Sequence, residues 1–120
     1  MGLVRISVRV KAPNRRAAGY QGRFLVDTGA IDSMLPASLA LKAGIRPIGY
    51  KTYELADGSM RQYRFGAAQF EFLGEITVGR VIFGPEKVEP ILGATALESA
   101  GILVDATHHT LKRLPAISLK

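Results

Sequence analysis

Apolar and polar residues alternate along residues 3–10. Val4, Ile6, Val8 and Val10 fall on one side and Arg5, Ser7 and Arg9 on the other. That period of two predicts a half-buried strand. Pro13, Asn14 and Gly19 then punctuate a loop, and residues 21–26 predict a second strand closing on Phe24-Leu25-Val26. Asp27-Thr28-Gly29-Ala30 follows at once. Leu35-Pro36 predicts the opening of a short helix over residues 37–43, with Pro in its first turn and Gly44 as a left-handed stop.

Residues 50–74 read mostly as β. Tyr53-Glu54-Leu55 and residues 60–65 flank Ala56-Asp57-Gly58-Ser59. Asp-Gly between two strand-like runs is a hairpin signal. Phe70, Phe72, Ile76, Val78, Val81 and Phe83 continue the β pattern, with breaks expected at Gly74, Gly79 and Gly84. Thr95 and Glu98 have capping-box spacing for a second short helix that stops at Gly101. Residues 102–104 predict a further strand, and residues 111–119 a tail with scattered apolar positions.

A faint repeat runs through this order. Residues 24–29 lead to a helix ending Ala43-Gly44-Ile45, and residues 91–93 to one ending Ala100-Gly101-Ile102. An apolar strand, a Gly, a short helix and Ala-Gly-Ile occur twice, as a duplicated β-loop-helix unit would require.

The 120 residues suit one compact domain, 1–120, and 48% hydrophobic with 22% charged residues excludes disorder as the default. No run is long and apolar enough to span a bilayer. The opening residues are interrupted by charges, unlike a signal peptide, so a cytoplasmic protein is expected. Cysteine is absent, which excludes disulfides, thiolate metal sites and Cys nucleophiles. His108 and His109 are the two histidines. Neighbours on a strand face opposite ways, so no metal site and no cofactor are expected from them.

Sixteen Lys and Arg against ten Asp and Glu give a net charge of +6. Arg5, Arg9, Lys11, Arg15, Arg16 and Arg23 all precede the first acid, Asp27, and the remaining bases and acids balance. Such a segment is compatible with nucleic acid, an anionic membrane or an acidic partner. It has no interleaved aromatics for base stacking, so a solvated strand face and loop is the preferred reading.

The candidate chemistry sits at Asp27-Thr28-Gly29-Ala30. An Asp directly after three apolar residues is placed where a buried strand ends, partly desolvated, with a tunable pKa. Gly29 is expected to allow a turn that a Cβ would resist. On residues 24–30, on Ser33 and Leu35-Pro36, on the Asp57-Gly58 hairpin and on Ile91-Leu92-Gly93 before a helix, the chain resembles the retropepsin-like aspartic peptidases. The resemblance covers most of the chain. It implies a mostly β subunit, a closed β-barrel or sandwich with a flap hairpin and one or two short helices, forming a homodimer.

The same resemblance implies an aspartic endopeptidase with one catalytic Asp per subunit, acting on peptide or protein substrates without metal or cofactor. Two carboxylates sharing one proton activate a water in such enzymes. Asp105 ends a strand without a following Gly, Asp57 belongs to the hairpin turn, and Asp32 is too near Asp27 to face it. The second carboxylate is therefore expected from Asp27 of a second copy, which an isologous dimer supplies. Thr28 is implied to brace the two loops and Gly29 to contact substrate backbone. Ala30, Asp32, Leu55, Ala56, Asp57, Gly58, Ser59, Met60 and Ile91 are the expected substrate-binding residues.

Leu55 and Met60, near the hairpin tip, are the favoured cleft residues. Tyr53, Tyr63, Phe65, Phe70 and Phe72 are expected to pack between strands or in the core. Ala30, which has no hydroxyl to stabilise an ionised dyad, predicts a pH optimum nearer neutral than in gastric-type relatives. Retroviral members commonly carry an acid after this Ala, paired with an Arg after the Gly of Ile-Leu-Gly. Ile31 and Ala94 stand there instead, so both partners are missing together. The apolar residues at 4–10 and 117–119 suggest a terminal subunit interface. The rival readings are a weak or inactive peptide-binding module of this fold and a basic nucleic-acid-interacting domain.

Overall fold

The computed structural model describes residues 3–13, 16 and 18–119. Asn14 of the predicted loop and Arg15 of the basic segment lie outside the described residues. Nine strands and two helices follow in the order β1 (Arg5–Lys11), β2 (Tyr20–Asp27), β3 (Ser33–Pro36), α1 (Ala37–Lys42), β4 (Gly49–Glu54), β5 (Met60–Phe72), β6 (Glu75–Gly84), β7 (Ile91–Gly93), α2 (Ala94–Ser99), β8 (Ile102–Asp105) and β9 (Thr110–Arg113).

Six strands close into a barrel in the order β1-β2-β7-β3-β6-β5, with β5 returning to β1, and β4 extends the sheet from β5 alone. The alternation of β1 is realised: Val8 and Val10 are fully buried while Arg5, Ser7 and Arg9 face solvent. They meet Phe24, Leu35, Phe70, Val81, Phe83 and Leu92 in one core, which α2 covers with Leu97. Each such side chain contributes roughly 1.5–3 kcal/mol on leaving water. No helix among the described residues is long and apolar enough to cross a membrane.

The repeat is real, but its strands are not the ones expected. The same shift along the chain that carries α1 onto α2, and Ala43-Gly44-Ile45 onto Ala100-Gly101-Ile102, carries β3 onto β7 rather than β2 onto β7. It also carries the end of β2 onto the end of β6. The ladders obey it: Leu25, Val26 and Asp27 run parallel to Ile91, Leu92 and Gly93, and Ile82, Phe83 and Gly84 run parallel to Met34, Leu35 and Pro36. Met34 and Ile91 face each other where the two halves cross. Gly44 (φ +85°) and Gly101 (φ +75°) end their helices in the left-handed conformation, and Ile45 and Ile102 after them are buried.

Several local expectations are corrected. Residues 33–36 form β3, so Pro36 closes a strand and stands before the helix rather than in its first turn. Gly79 does not interrupt β6, where it pairs with Ala68. Thr95 and Glu98 make no capping box. The helix starts at Ala94, and the carbonyls of Ala30 and Ile31 accept the Ala94 and Thr95 amides at 2.8 and 3.0 Å. Tertiary carbonyls thus take those amides. β1 lies in the barrel wall, paired with β2 over Arg5–Val10 and with β5 only at Arg9–Lys11. At the other end Leu103, Leu114, Ile117 and Leu119 do remain exposed.

Candidate active site

β2 carries the buried Phe24 into the core and ends on Asp27, which is half-buried. The chain turns there: Ala30 N–H donates to the Asp27 carbonyl at 3.2 Å, and Gly29 N–H donates to Asp27 Oδ1 at 3.0 Å. The side chain thereby folds back on its own turn and is held at the strand end. Gly29 makes this turn without entering the left-handed region. Its lack of a side chain serves the carboxylate, since a Cβ there would stand 3.3 Å from Asp27 Oδ1.

The floor below is cross-braced. The buried Ser33 Oγ accepts the Gly93 N–H at 3.0 Å. Above it, the β4–β5 hairpin overhangs. β6 pairs with β5 only from Phe65 onward, so residues 49–64 beyond that point form a two-stranded ribbon. Leu55 N–H bonds the Ser59 carbonyl and Gly58 N–H the Leu55 carbonyl, while Asp57 Oδ1 accepts from Ser59 N–H and its hydroxyl. These two Ser59 bonds, the hydroxyl first, hold the Asp57 carboxyl below its ordinary value.

Between floor and hairpin lies a cleft of about 600 Å³. Asp27, Gly29, Ala30, Asp32, Leu55, Ala56 and Ile91 line it as expected. Thr28, Asp57, Gly58, Ser59 and Met60 do not. The hairpin points its tip beyond the cleft, and Met60 is left 66% exposed. Tyr53 and Tyr63, expected in packing, line the cleft instead, with ring centroids 6.2 Å apart. Phe70 and Phe72 are core residues.

Asp32 is buried. Its Oδ2 accepts the Tyr53 hydroxyl at 2.7 Å and Arg80 at 3.2 Å, and the Arg80 guanidinium lies 4.7 Å over the Phe65 ring. Burial first, then the bond to Asp32, pushes the Tyr53 phenol up to about 12. Sequence reasoning missed Arg80. The alternation of β6 could have found it, because Val81 and Phe83 face the core and leave Arg80 and Ile82 to the cleft side. Where the resemblance expects an ion pair at positions 31 and 94, the backbone bonds from Ala94 and Thr95 stand in its place, and Ile31 is 71% exposed.

The other candidate carboxylates are engaged elsewhere. Asp105 accepts the Thr107 and His108 amides and the His108 ring in the β8–β9 turn, which lowers its pKa through the His108 side-chain bond above all. His108 and His109 lie in that turn, and no group of three or more potential metal ligands occurs among the described residues.

The aspartyl protease family model matches residues 14–96, from the loop before β2 to the start of α2. This chain belongs to that family. Solved structures of retroviral proteases and of a retroviral protease-like domain share the fold. The simian foamy virus protease aligns with a TM-score of 0.56 at 17% identity, over 78% of this chain and 91% of that one. The EIAV protease bound to an inhibitor gives 0.56 at 19% identity, over 83% and 89%. The retroviral protease-like domain of Ddi1 from Leishmania major gives 0.58 at 15% identity, over 97% and 91%. A search of curated protein sequences gives no match. The barrel, the overhanging hairpin and the two short helices of this family member are thus a retropepsin-like fold.

Proposed function

We propose that this protein is a homodimeric aspartic endopeptidase in which Asp27 from each copy forms the catalytic dyad. One observation carries the reading. Asp27 is the carboxylate at the cleft floor, while Asp32 is committed to Tyr53 and Arg80. The internal repeat supports the need for a second copy, because Gly84 stands in the second half where Asp27 stands in the first. Two carboxylates brought together share a proton, since two like charges so close do not both ionise. The ionised member takes a proton from water as it attacks the scissile carbonyl. The protonated member polarises that carbonyl and then delivers a proton to the leaving nitrogen.

In this reading the exposed Thr28 braces the two loops across the dimer axis, and Gly29 meets substrate backbone. Ala30, Met34, Ile82 and Ile91 offer apolar contact near Asp27, which suits apolar side chains beside the scissile bond. The hairpin acts as a flap over bound peptide. The test is a peptide-library digest with wild-type protein and Asp27→Asn in parallel, with sedimentation to count subunits. Pepstatin-sensitive cleavage that vanishes in a still-dimeric Asp27→Asn supports the reading; equal cleavage by both proteins refutes it.

A second reading, a peptide-binding module without turnover, is favoured by β4, whose outer edge has no partner strand among the described residues. An extended peptide adds to such an edge. Peptide retention unchanged by Asp27→Asn, with no cleavage by wild type, would select it.

A further inference from the structure

Roof and floor of the cleft meet at one polar point. The Tyr53 hydroxyl on β4 and the Arg80 guanidinium on β6 both donate to Oδ2 of Asp32, whose side chain is 7% exposed. Asp32 is anchored from below. A methyl group at Gly93 would stand 2.6 Å from the Asp32 carbonyl carbon and 2.9 Å from the Ile31 oxygen, so the two backbones are in direct contact. The neighbouring Ala30 and Ile31 carbonyls hold the first amides of α2. Arg80 is itself seated on the Phe65 ring. The hairpin is the weaker partner: beyond Phe65 it is a two-stranded ribbon, and such ribbons are marginally stable alone.

We propose that Tyr53 is a positioning residue for peptide cleavage, pinning the hairpin to the catalytic floor through Asp32, so that only the segment beyond it, residues 54–60, moves to admit substrate. The role in cleavage rests on the protease reading above; the pin does not. Tyr53 stays protonated well above neutral pH, so its hydroxyl remains a donor. The Tyr63 ring supports it from the adjacent strand. The pin shortens the moving lever from the whole ribbon to its tip, and leaves Tyr53 and Tyr63 as a standing wall of the cleft.

Tyr53→Phe keeps the ring and removes the donor. By hydrogen–deuterium exchange, amides of residues 49–54 are expected to exchange about tenfold faster, the size a hydrogen bond to a charged acceptor supports, while residues 20–27 and 91–99 keep wild-type rates. With a cleaved peptide, KM rises about fivefold to tenfold and kcat stays within about twofold, because the floor around Asp27 is untouched. Asp32→Asn, which turns the charged acceptor into a neutral one, accelerates exchange by a smaller factor. No acceleration in either variant overturns the pin. Faster exchange in a protein that cleaves nothing upholds the pin and sinks the protease reading. Normal cleavage with unchanged KM in Tyr53→Phe refutes its role in positioning.

Discussion

Ser33 Oγ accepts the Gly93 N–H at 3.0 Å, and this one bond ties the first repeat unit to the second beneath the cleft. Ser33 is 2% exposed, so no water replaces the hydroxyl easily. Ser33→Ala is expected to cost about 1–3 kcal/mol, the penalty for a buried N–H left without a partner. A melt should show Tm lower by roughly 3–5 °C for each kcal/mol lost. Gly93→Ala should cost at least as much, since its methyl would press on the Asp32 backbone.

Ala30 lines the cleft one turn from Asp27. Under the proposed mechanism, a hydroxyl introduced by Ala30→Ser reaches the dyad and stabilises its ionised form. The acidic limb of the pH–rate profile should then move down by roughly one unit, the equivalent of one hydrogen bond to a charged group. An unmoved limb would place Ala30 out of reach of the dyad.

Acid should weaken the folded protein. Glu89 beside Arg5, Glu86 beside Ser38, Asp105 beside His108 and Asp57 beside Ser59 all titrate below their ordinary values of 4.5 and 3.8. A carboxyl with a depressed folded pKa stabilises fully above its unfolded value and loses that contribution as pH falls through the folded one. Tm is expected to be level down to about pH 5 and to fall below pH 4. Thermal melts across that range check it; a Tm that rises on acidification would contradict it.

Tyr53 has the opposite sign. Its phenol is raised from 10.0 to about 12, so its contribution is complete below its unfolded value and disappears as pH rises through the folded one. An ultraviolet titration should show one tyrosine that ionises late, and Tyr53→Phe should remove that late component.

Much of this site was legible in the chain. Three apolar residues before Asp27 located a strand end, Asp57-Gly58 located the hairpin, and Ala-Gly-Ile occurring twice announced the duplication. Those signals are local, written within one turn or one strand. β3 was missed because four residues with three apolar ones carry no period. The capping of α2 was misread because the competing acceptors, the Ala30 and Ile31 carbonyls, lie far back along the chain. Tyr53 reads as a packing residue and the alternation of β6 turns Arg80 to the cleft, but nothing near either in sequence points to Asp32, which the barrel brings to both.

Gly84 carries one more consequence. The space around it is taken, since a Cβ there would strike the Met34 side chain at 2.7 Å. A carboxylate cannot simply be installed in the second repeat unit to make the chain self-sufficient. Under the proposed mechanism, then, turnover at high dilution grows with the square of the amount present, and halving the amount quarters the rate. Under that mechanism abundance itself is a control, and accumulation raises the activity of each polypeptide.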